Sequence, residues 1–126
     1  MFLPDPLLVC IGAVPGALCR YYLTIALARR FGTGFPFGTF CINLSGALLM
    51  GLVVTLVVER AIEPRLQLLL TTGFLGSYTT FSTYALDTSV LWRSDRRLQS
   101  ALYWFGSVVL GGIGFEIGTV LARAIA

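Results

Sequence analysis

A bundle of four membrane-spanning helices is what this sequence predicts, on three observations. Of 126 residues, 56% are hydrophobic and only 12% are charged, about half the charged share of an ordinary soluble domain. The apolar residues fall into long runs rather than alternating with polar ones, and mean hydropathy is +0.84. Most of the charge sits in short connections between those runs. Together these place the chain in the membrane class as a single domain, residues 1–126.

The spans are expected at about 7–28, 37–58, 66–92 and 98–124. Each exceeds the roughly 20 residues needed to cross the hydrocarbon core. Gly32, Gly34 and Pro36 separate the first two spans, and Pro64 precedes the third. The N-terminus lacks a basic region and a small-residue cleavage site, so its apolar run is read as a mature helix.

All nine basic residues are arginine, and the net charge of +3 is dispersed. This gives no nucleic-acid patch, and arginine at helix ends suits the membrane interface. The first and third connections hold Arg29, Arg30, Arg93, Arg96 and Arg97. The other side holds Arg60, Arg65, Arg123 and the terminal amine. So small a bias fits insertion in either orientation. Two oppositely inserted copies would form an antiparallel homodimer with its two-fold axis in the membrane plane. Four helices enclose little space, so a conduction path is expected to need the second copy.

Cys10, Cys19 and Cys41 lie inside apolar runs without CxxC spacing and read as packed side chains. Histidine is absent, which excludes His-based zinc sites and Ser-His catalysis. No nucleophile–base pair appears, and the chain is not expected to be an enzyme. Gly12–Gly16, Ser107–Gly111 and Gly114–Gly118 have the small-xxx-small spacing of helix packing faces.

The third span is unusual. Thr71, Thr72, Gly73, Gly76, Ser77, Thr79, Thr80, Ser82 and Thr83 crowd its midpoint. Broken backbone at that depth survives only inside protein or along a watery cavity. Freed carbonyls coordinate cations there, and freed N–H groups face anions. A tightly packed Gly- and Thr-rich helix is the plainer alternative. Phe81 and Tyr84, three apart, share a helix face. Their positive ring edges suit a small anion, although core or lipid-facing packing is the commoner reason for such a pair.

Asn43 lies about 10 Å inside the second span, counting 1.5 Å per residue. Its amide either lines an anion path or bonds between helices. Arg20, Asp87 and Glu116 are charges within or near spans and are functional candidates. Arg20 and Glu116 differ by about 15 Å in depth by the same count, which suits a pair between inverted subunits better than within one.

These residues give the chain a likeness to a known family. Gly16-Ala17 with Arg20-Tyr21, Phe37-Gly38-Thr39 with Asn43 and Gly46, and the run from Thr72 through Thr83 resemble the Fluc-type fluoride channels, or CrcB family. The resemblance spans essentially the whole chain. It implies a multi-pass protein of the cell (inner) membrane that exports cytoplasmic fluoride passively, through two pores at an antiparallel dimer interface. It implies a structural sodium ion held by backbone carbonyls of Gly76 and Thr79 from each subunit. Fluoride would pass Asn43 and the edges of Phe81 and Tyr84. Hydroxyls of Thr39, Thr80, Ser82, Thr83, Tyr103 and Ser107 would replace some of its water, and Arg20 would draw anions in. The chain departs from the family at Tyr84, where Phe is usual, at Asp87, where Glu is usual, and at Gly111, where a hydroxyl is common. The alternative is a small proton-coupled multidrug exporter of four helices. Such proteins carry an acid in the first helix, where this chain carries Arg20.

Overall fold

The computed structural model describes residues 3–126 and is all helix and connection over that range. Helix α1, Asp5–Phe31, starts after Pro4, with Asp5 in its first turn and Arg29 and Arg30 in its last. Those charges complement the helix dipole. Gly32, at φ 80°, then turns the chain out of the helix. Helix α2 runs Phe37–Val58. The next stretch is segmented. Helix α3, Pro64–Gln67, leads into a π-helical segment, Leu68–Leu75, and then into the single turn α4, Gly76–Tyr78. Two extended residues, Thr79 and Thr80, follow before α5, Phe81–Arg93. Helix α6, Arg97–Ile125, completes the chain.

Three of these helices, α1, α2 and α6, are long and apolar enough to cross a bilayer. Large apolar side chains such as Val14, Tyr22, Leu102, Phe105 and Val120 face outward. Lipid solvates such a surface as well as a protein core would.

Close backbone approach organises the packing. A Cβ added at Gly12 would lie 2.2 Å from the Leu69 carbonyl, so α1 rests directly on the π-helical segment. Ser77 Oγ adds a bond to the Ala13 carbonyl at 2.9 Å. On the other side, Gly118 of α6 meets the Leu48 carbonyl of α2, where a Cβ would come within 2.1 Å. Thr55 Oγ1 donates to Thr119 Oγ1 across the same seam. Two small cores flank the break in the segmented stretch. One contains Ile42, Leu75 and Tyr78. The other contains Tyr84, Leu91 and Tyr103.

Candidate functional site

The break lies at Thr79 and Thr80, whose backbone angles are extended at φ −79°, ψ 160° and φ −151°, ψ 120°. An interruption frees polar groups that need partners away from water. Asn43 of α2 supplies two. Its Oδ1 accepts from Thr80 N–H at 2.9 Å, and its Nδ2 donates to the Thr80 carbonyl at 2.9 Å. The peptide fixes the amide orientation, because a flipped Asn43 would set donor against donor. One Nδ2–H is left over for another acceptor. Asn43 therefore does bond between helices, and it retains a donor at the break.

Thr80 also starts the next helix. Its Oγ1 accepts from Thr83 N–H at 3.3 Å and donates to Thr83 Oγ1 at 3.1 Å, with Ser82 Oγ 3.4 Å away. The amides of Phe81 and Ser82 are first-turn N–H groups with no intrahelical acceptor. Hydroxyls, free amides and the positive end of the α5 dipole thus converge at one place, an arrangement that favours an anion.

The other side of the break has the opposite polarity. Thr80 N–H would close the next rung onto the Gly76 carbonyl but goes to Asn43 instead. Thr83 N–H, which would reach Thr79, caps Thr80. The Gly76 and Thr79 carbonyls are thus released from the helical ladder. They are hard oxygen donors of the kind that holds alkali cations. Arg20 Nη1 donates to the Thr79 carbonyl at 3.4 Å, so its positive charge shares that oxygen. Among the described residues no three His, Cys, Asp or Glu side chains gather. The released carbonyls add to the hydroxyl oxygens of Thr79, Thr80 and Ser82 at the break.

Grooves bring the candidates together. One of about 570 Å³ is lined by Arg20, Thr24, Thr39, Thr80, Ser82 and Thr83. Thr24, Thr39 and Thr83 also line a cavity of about 390 Å³ that reaches Asp87 and Arg96. A further groove of about 380 Å³ is lined by Asn43, Gly46, Thr79, Thr80 and Phe81. Thr80 borders both the first and the last of these. Gly46 is what lets α2 approach, since a Cβ there would lie 2.2 Å from Thr79 Cγ2.

The aromatic pair is divided between surface and core. Phe81 is 72% exposed, while Tyr84 is only 6% exposed. Tyr84 stacks on Trp104 with centroids 4.6 Å apart and planes 8° apart, and its hydroxyl donates to the Trp104 carbonyl. Tyr103 is buried, with its hydroxyl 3.4 Å from Asp87 Oδ2. Ser107 Oγ is buried without a hydrogen-bond partner. Tyr84, Tyr103 and Ser107 thus lie on α5 and α6 outside the groove linings. Arg20 and Glu116 form no ion pair among the described residues.

Sequence reasoning missed Thr24, which lines two of the spaces. It also missed Ser45, whose hydroxyl shares a 2.9 Å bond with Tyr78 OH just before the break. A lone Thr or Ser in an apolar helix was the available signal. Trp104 was missed too, although a Trp seven residues into α6 lies away from the helix end where such residues usually anchor.

The chain is similar to known proteins along nearly its whole length. Residues 7–119 match the family described as CrcB-like protein, Camphor Resistance (CrcB). A protein of Synechocystis named fluoride-specific ion channel FluC is 53% identical over 98% of this chain and 95% of its own length. Relatives of the same name from Synechococcus and Trichormus variabilis are 50% and 52% identical, each over 94% of this chain and over 92% and 88% of their own lengths. With that match along nearly its whole length, this multi-pass membrane protein belongs to the CrcB family.

Proposed function

We propose that the protein is a passive, fluoride-selective channel that lets cytoplasmic fluoride leave down its electrochemical gradient. It is not an enzyme, and relatives at half identity or more are named ion channels. The observation that carries the reading is the interruption at Thr79 and Thr80, held open by the Asn43 amide. Broken backbone in a span needs a protein-lined or watery surrounding. This break presents N–H and O–H donors toward α5 and carbonyls toward α4.

In this reading each subunit crosses the membrane four times, the segmented stretch being the third crossing. Two copies pair antiparallel, with two pores at their interface. The exposed Phe81 supports that assembly, because its ring stands at the break with little of its own chain around it. Fluoride moves past Arg20, the hydroxyls of Thr39, Thr80, Ser82 and Thr83, the spare Asn43 donor and the Phe81 ring edge. Tyr84, Tyr103 and Ser107 form the polar and aromatic wall behind. A sodium ion at the centre would be held by the Gly76 and Thr79 carbonyls of both copies. It would supply positive charge that steadies the four released oxygens.

The test is ion efflux from liposomes holding the purified protein and potassium fluoride. After a potassium ionophore is added, a fluoride electrode should record rapid efflux. Liposomes loaded with potassium chloride should stay silent. Verified protein that passes no fluoride, or passes both anions alike, would overturn the proposal.

A further inference from the structure

We propose that Trp104 is a positioning residue for the aromatic pair, and that together with Tyr84 it sets the angle at which Phe81 presents its edge. The inference rests on the reading that Phe81 lies on the fluoride path. Trp104 acts on both rings. Its indole covers one face of Tyr84 in a near-parallel stack, 4.6 Å between centroids. Its backbone carbonyl accepts the Tyr84 hydroxyl, which fixes the ring at a second point. Phe81 then leans on this slab, 6.2 Å from Trp104 at 63° and 5.8 Å from Tyr84 at 56°.

The physical consequence follows from the charge distribution of a ring. The face is negative and repels an anion, while the edge is positive and attracts it. A free phenylalanine at the start of α5 would turn about χ1 and χ2 and offer its face part of the time. Phe81 has little else of its own chain to stop it, being 72% exposed. The stacked pair limits that turning. It also answers the presence of Tyr where Phe is usual. The phenol oxygen is spent on α6, so the Tyr84 ring sits under Phe81 without an unpaired hydroxyl. Trp104 therefore touches Phe81, the ring on the path, and Tyr84, the ring that backs it, and acts through them.

Trp104→Leu keeps an apolar side chain but removes the stack. The expected result in liposomes is a loss of about tenfold in fluoride efflux, the rate equivalent of one aromatic contact. The fluoride-to-chloride ratio should fall with it, which a merely structural role would leave unchanged. Trp104→Phe, which restores a ring, should recover much of both but remain below the parent. Phe81→Leu is the reference. If Phe81→Leu conducts like the parent, the path reading falls and this inference falls with it. If Phe81→Leu stops conduction while Trp104→Leu keeps parent flux and selectivity, the inference alone is overturned. Should Trp104→Leu fail to fold, Trp104→Phe decides, and parent-like flux and selectivity in that variant overturns the inference.

Discussion

The seam between α2 and α6 and the break at Thr79 and Thr80 solve similar packing problems in opposite ways. Both bring α2 against another element through glycine. At the seam Gly118 lets backbone touch backbone, and both helices keep every rung. At the break Gly46 makes room for the Thr79 side chain, yet the helix opposite is interrupted, and α2 supplies Asn43 to bond the opened peptide. Tight packing alone therefore does not require a broken helix. Polar groups exposed in the middle of a span cost free energy unless they are matched. Here one amide does much of that matching and leaves donors on one side and carbonyls on the other. The seam is architecture, and the break is where the proposed function places the ions.

Substitutions should separate the two regions. Gly118→Leu should have the largest effect. Its Cβ would meet backbone at Leu48 and Leu52, which cannot rotate away, and overpacking costs about 1–3 kcal/mol or more. Monodisperse protein should be nearly lost on size exclusion in detergent. Gly76→Val tests the other kind of glycine. A Cβ at Gly76 meets only the Thr71 carbonyl at 3.5 Å, an ordinary contact. Loss of the proposed dimer in that variant would point to crowding from outside the subunit, as a central carbonyl site requires. A fully assembled dimer would argue against that site. Thr80→Val removes the cap of α5 and should cost about 1 kcal/mol, with a fall in fluoride flux larger than the fall in melting temperature suggests. Thr55→Val, at the seam, removes one hydrogen bond at 3.3 Å. It should lower stability by about 1 kcal/mol or less and leave flux unchanged.

Much of this comparison is legible in the sequence, but not its partners. The Gly and Thr crowding marks the broken span, and Asn43 marks itself as an amide at depth. That the two meet, across 37 positions, depends on how α2 packs and has no local signature. The π-helical form of Leu68–Leu75 is likewise not specified by any residue pattern. Thr71, Thr72 and Gly73 weaken an α-helix there without dictating the wider turn, and α1 packs against the segment through Gly12 and Gly16. Tyr84 reads in sequence as a polar intrusion into an aromatic pair. In the fold its hydroxyl finds the Trp104 carbonyl, a group that no residue pattern announces. The exposed Phe81 was legible as a candidate, whereas its support from Trp104 was not.

The most direct measurement is fluoride efflux through Asn43→Asp in liposomes, beside the parent protein and with dimer elution checked. The carboxylate keeps an acceptor for Thr80 N–H, loses both amide donors and places negative charge at the break. Fluoride efflux should fall by at least about tenfold, since a like charge in a site of low dielectric costs well over 1.4 kcal/mol. Parent-like efflux through Asn43→Asp protein that elutes like the parent would contradict the claim that fluoride passes this break.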